Sequence, residues 1–140
     1  MTPIGTALFG VLVALAAIHA YWGLGGRWPG HDDASLVERV AGRTKGMRAP
    51  SPAACSAVAA ALLAAAALVW LHSGRWTTGW AAAATAVGFW GAALAFLLRG
   101  LAGFVPAAFR YAEGTPFHRL NRMFYSPLCL AIAAAFLASD

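Results

Sequence analysis

Between residues 3 and 24 the chain reads PIGTALFGVLVALAAIHAYWGL, with no Asp, Glu, Lys or Arg and with His19 as its one basic side chain. As a helix this stretch is about 33 Å long, enough to cross the roughly 30 Å hydrocarbon core of a bilayer. Two further runs of the same kind lie at about 53–71 and 77–98, and a slightly short one at about 123–138. A chain with four such runs has few options, because lipid satisfies no backbone hydrogen bond and only helices or closed barrels can cross it. The expected fold is all-α, a single four-transmembrane-helix bundle over residues 1–140.

Two readings suit the last run. Thr115 followed by Pro116 is a plausible N-cap and first-turn pair, so the helix can begin near residue 116 and take in a kink at Pro127. Alternatively Ser126 and Pro127 begin the membrane helix afresh at about residue 123. Before it, residues 100–114 (GLAGFVPAAFRYAEG) are too broken by Pro106 and glycines to span. They read as a short interfacial segment with Leu101, Phe104 and Phe109 in lipid and Arg110 and Glu113 in water. Although ALAAIHA ends in a small-x-small pattern, no Lys or Arg precedes Arg27, so the first run is expected to be retained and not cleaved as a signal peptide.

The distribution of charge fits this solvent. The chain is 61% apolar and only 11% charged, against about a quarter charged in a soluble domain. Its formal charge is +5, and the cations flank the apolar runs, which points to anionic lipid headgroups as partners and not to nucleic acid. Arg27, Arg39, Arg43, Lys45 and Arg48 lie between the first two runs, and Arg99, Arg110, Arg119 and Arg122 between the last two. The turn after the second run has Arg75 alone. By the positive-inside rule both basic loops face the cytoplasm and both termini face outward, which suits a multi-pass protein of a bacterial inner membrane.

Helix packing and polar placement suggest where function lies. Ala84 and Gly88 form a small-xxx-small pair in an Ala-rich run and mark a helix-packing face, within the bundle or towards a partner. Most tryptophans fall at run ends, as headgroup anchors do, whereas Phe89 and Trp90 lie mid-run and point to packing or a partner. The stretch FHRLNRMFYSPLCL, residues 117–130, is unusually polar for the mouth of an apolar segment. At helical spacing His118, Arg122, Tyr125 and Cys129 form one stripe with Asn121 beside it, and His19 and Trp22 share a face at the end of the first run. Together these residues are expected to line a cytoplasm-facing pocket. Phosphate anchoring is the simpler role for Arg119 and Arg122 taken singly, and a haem or metal held between His19 and His118 is the remotest reading.

No Asp or Glu lies within any run, which disfavours a proton relay or ion-coupled transporter. There is no phosphate-binding glycine loop, zinc-protease helix or nucleophile elbow. Cys55 and Cys129 are not a C-x-x-C pair and read as reduced, inert thiols. The HDD at 31–33 reads as the cap of a short surface helix, and GLGGRWPG as a helix stop.

HAYWGLGGRWPG at the end of the first run, and LLRGLAGF followed by TPFHRLNRMFYSPLCL, resemble a family of small bacterial four-helix membrane proteins catalogued only as a domain of unknown function. The resemblance covers nearly the whole chain in layout. It implies that His19, Trp22, Gly25, Gly26, Tyr125, Ser126, Pro127 and Cys129 belong to the family pattern, and that relatives often carry an acid where Asn121 stands. It implies no activity and no cofactor. Two functions follow from the sequence: foremost a non-enzymatic accessory or interaction subunit of a larger membrane assembly, as a partner's subunit or a homo-oligomer. The competing one is a small membrane protein or enzyme that binds a lipid, quinone or haem-like ligand in the polar pocket.

Overall fold

The computed structural model describes residues 1–139. Four helices are long and apolar enough to cross a membrane: α1 (Pro3–Gly23), α3 (Pro52–Gly74), α4 (Gly79–Ala102) and α5 (Pro116–Ala138). A short helix, α2 (Asp33–Val40), lies in the first loop. The chain is a multi-pass membrane protein. Three of the four long helices start on a Ser-Pro or Thr-Pro pair. Thr2 and Ser51 accept hydrogen bonds from the backbone N–H groups of Gly5 (3.0 Å) and Ala54 (3.2 Å), and Pro3 and Pro52 follow in the first turn. Proline fits there because that N–H has no partner inside a helix. Thr115 holds the same position before Pro116 but does not cap; its hydroxyl turns back to donate to the Ala112 carbonyl at 2.6 Å.

The bundle alternates up and down. α1 packs chiefly on α3 and α5 on α4, with α3 against α4 and α1 against α5 closing the ring. At the core Leu12, Val69, Phe89 and Phe136 are fully buried, with Leu8, Ala16, Leu62, Ala66 and Ile132 around them. Phe89 is the hub: Phe136 meets it edge-on at 5.0 Å, His72 stacks on it at 4.2 Å, and Trp90 touches it from the exposed side at 5.2 Å. The small residues let the backbones approach. A Cβ on Gly88 would lie 2.9 Å from the side chain of Leu68, so Gly88 is used within the bundle, while Ala84 is exposed.

Both basic loops lie at one end. There the Tyr125 hydroxyl donates to the Arg39 carbonyl at 2.9 Å and Arg43 donates to the Glu113 carbonyl at 3.1 Å, so the two loops hold each other. The termini share the opposite end, where Ser73 donates to the Ser139 carbonyl. α2 begins as the HDD motif suggests, on Asp32, with a reciprocal capping box to Ser35. It buries Leu36 and Val37 completely beneath the polar face of the loop.

The end of α4 differs from the expected boundary. The helix continues to Ala102, so Arg99 is a helical residue and not part of the connection. The connection itself winds as a 3₁₀ segment over Pro106–Ala112. Leu101 and Phe104 are exposed as expected of an interfacial segment, but Phe109 turns inward, under the Arg99 guanidinium at 5.0 Å and against Phe117 at 5.8 Å. A cation over the face of a desolvated ring is favourable enough to hold it there.

α5 is continuous from Pro116 and does not restart at Ser126. Its α-helical turns over Pro116–Leu120 and Ser126–Ala138 are joined by a π turn, Asn121–Tyr125, in which the Ser126 N–H donates to the Asn121 carbonyl. The wide turn stands just ahead of Pro127, where a regular α turn would bring the proline ring against the Met123 carbonyl.

Candidate functional site

The π turn decides which polar residues meet. One extra residue in a turn rotates all that follows by about 100° relative to an α-helical register. The single stripe of His118, Arg122, Tyr125 and Cys129 is therefore divided. Tyr125 and Cys129 face a cavity of about 290 Å³ shared with His19 and Trp22 of α1, while His118, Asn121 and Arg122 line a separate cavity of about 210 Å³ on the other side of Arg99. His19 and His118 do not meet in one site.

The larger cavity opens at the basic end of the bundle, where α1, α3, α4 and α5 converge beneath Val40 of α2. Its walls are mostly apolar and aromatic, with Leu15, Leu62, Phe96, Phe117 and Ile132 prominent. Few polar groups remain free inside it. The Trp22 indole N–H donates to the Trp28 carbonyl at 2.7 Å, and the Tyr125 hydroxyl is committed to Arg39. His19 differs. Its Nδ1 is 2.7 Å from the Leu15 carbonyl one turn earlier. A carbonyl only accepts, so Nδ1 carries the proton, and in the neutral ring Nε2 is left as a bare acceptor. Trp22 stands edge-on to that imidazole at 5.0 Å and fixes its plane. With Cys129 and the edge of Arg99, His19 supplies the polar chemistry of an otherwise oily space.

Arg99 is the polar residue of this region that the sequence reading did not single out. It donates to the Asn121 side-chain carbonyl at 2.8 Å and to the Ser126 hydroxyl at 3.5 Å, and it lines the larger cavity while its partner Asn121 lines the smaller one. Asn121 is only 1% exposed and also accepts from Ser126 at 3.3 Å. Gly103 completes the knot: a Cβ there would overlap the Ser126 hydroxyl. The available signal was Asn121, since a buried amide in an apolar helix needs a partner, and the nearest cation that could turn inward is the one ending the third run.

Among the described residues no three His, Cys, Asp or Glu side chains gather as a metal site. Cys55 is buried at the start of α3 and lines a small side cavity with His19 and Trp22, whereas Cys129 is half-buried in the larger one; both are free thiols. Charge pairs are scarce, and Arg27 with Asp33, in the first loop, is the ion pair among the described residues. Among the described residues no carboxylate pairs with Arg99.

No curated protein and no solved structure matches the chain. A family model does, described as a protein of unknown function, DUF3995, and it matches residues 12–136, which include both cavities, all four long helices in whole or in large part, and the Arg99–Asn121 knot. The chain belongs to the DUF3995 family.

Proposed function

We propose that this protein binds a small amphipathic ring ligand of the quinone or quinol class in the cavity between α1, α3, α4 and α5. The observation that carries the reading is His19: its Nδ1 is tied to Leu15, and its Nε2 has no protein partner among the described residues, in a ring that lines a pocket whose other walls, apart from Arg99 and Cys129, are apolar or aromatic. Such a pocket with a few convergent polar groups is the usual form of a small-molecule site. Its volume of about 290 Å³ suits a single ring and the first carbons of a tail, and Trp22, Phe96, Phe117 and Tyr125 give flat surfaces for that ring. A quinol hydroxyl would donate to Nε2.

The accessory-subunit reading needs a helix face made for another chain. Gly88 is filled by Leu68 of the same bundle, and the exposed apolar residues of α4, such as Val87 and Leu94, are surface that lipid covers equally well. The orientation that suits the proposal puts the basic end in the cytoplasm of a bacterial inner membrane and both termini outside, because the basic loops lie together at that end. The pocket then opens at the depth of the cytoplasmic leaflet.

Titration of the detergent-purified protein with a short-chain benzoquinol tests this. Saturable binding that weakens about fivefold to tenfold in His19→Leu, as expected for the loss of one buried hydrogen bond, supports the reading. Equal affinity in both proteins, or none in either, rejects it.

A further inference from the structure

The smaller cavity, on the far side of Arg99, is not explained by a ring ligand in the larger one. It lies between the end of α4, the 3₁₀ segment and the first turns of α5, and it mixes exposed apolar residues, Phe104 and Val105, with His118, Arg122 and Glu113. Three features of its polar lining are unusual together. The Nδ1 of His118 is buried with no hydrogen-bond partner, and it is the buried side-chain nitrogen or oxygen left so among the described residues. Arg122 and Glu113 line the same space yet form no ion pair with each other. Behind them the charge of Arg99 is held against Asn121 with no carboxylate beside it.

We infer that this cavity is a lipid headgroup site for phosphoethanolamine. The phosphate would lie between Arg122 and His118, taking the Nδ1 hydrogen bond that the protein leaves open, with the Arg99 charge behind it. The primary ammonium would face Glu113. A purely anionic headgroup would leave Glu113 opposed by like charge, whereas a zwitterion satisfies both signs. Phe104 and Val105 would meet the glycerol and first acyl carbons, which matches their exposure beside a polar lining. This site does not depend on the ring-binding cavity.

The test uses the full-length protein in nanodiscs of phosphatidylcholine containing equal parts of phosphatidylethanolamine and phosphatidylglycerol, with native mass spectrometry of the retained lipid. The wild type is expected to keep phosphatidylethanolamine preferentially. Arg122→Gln should lower that retention about fivefold, the effect of one cation at the membrane surface. Glu113→Gln should retain lipid but lose the preference for ethanolamine over glycerol. Both substitutions alter exposed side chains, so folding is expected to survive and is checked by thermal melting. As a second readout, the ¹⁵N shift of His118 should move with a short-chain phosphatidylethanolamine and stay put with inorganic phosphate. Unchanged retention in Arg122→Gln, or an equal His118 shift with inorganic phosphate, would overturn the assignment.

Discussion

Asn121 accepts from both Arg99 and Ser126 while almost wholly out of contact with solvent. Replacing it with Leu leaves the guanidinium without its best partner, so Asn121→Leu should destabilise the protein by about 1–3 kcal/mol, read as a lower melting temperature in detergent. Asn121→Asp keeps the acceptor and adds a charge opposite Arg99, so that variant should remain folded. Gly103→Ala should also cost about 1–3 kcal/mol through overpacking. Ser126→Ala should not relieve it, because the Ser126 Cβ itself would lie only 2.6 Å from the new methyl. A melting curve for Gly103→Ala that matches the wild type would show that the α4–α5 contact is looser than described.

At the scale of elements, α2 and the π turn carry separate expectations. A hydrogen bond from the Ser35 side chain, then one from its backbone N–H, hold the Asp32 carboxyl below its ordinary range. The contribution of this cap to α2 is therefore fully present above the ordinary carboxylate value of about 3.9 and is lost as the pH falls through the lowered folded value. Amide exchange at Ser35 should accelerate in acid in the wild type, while Asp32→Ala should exchange fast at every pH. For the π turn, deleting the exposed Phe124 removes the extra residue and restores an α turn ahead of Pro127. The proline clash should then return at about 3 kcal/mol, and Pro127→Ala should recover most of it in the deletion but not in the full-length chain. Recovery absent in a melting series would disconnect the π turn from the proline. Helix existence was legible from the apolar runs, and α2 from HDD followed by an amphipathic stretch. The π turn was not, since nothing in NRMFY breaks a 3.6-residue period; only Pro127 marks the place. That one turn is why the four-residue stripe read from spacing became two half-sites.

Across the whole molecule, the apolar runs and the segregation of cations specify the up-and-down bundle, because lipid leaves so few alternatives. The pairing of α1 with α3 and of α5 with α4 was not written in those runs, since Ala-rich faces offer many equivalent contacts, and Gly88 found Leu68 only through the assembled geometry. That His19, Trp22 and Tyr125 line one cavity was legible because their helices end in the same basic layer. Arg99 was hidden because a cation at the edge of a run normally reads as an anchor. If the basic end faces the cytoplasm, a tag at either terminus should be labelled by an impermeant reagent in intact cells, and a cysteine at exposed Lys45 should not. Reversed labelling would invert the membrane orientation and move the cavity to the opposite leaflet. The most direct test of the central claim is native mass spectrometry of the protein gently extracted from its own membranes. The expected result is a monomer or dimer that carries a defined small-molecule mass in the quinone range, lost in His19→Leu. A stable complex with other polypeptides and no bound small molecule would contradict it and return the protein to an accessory role.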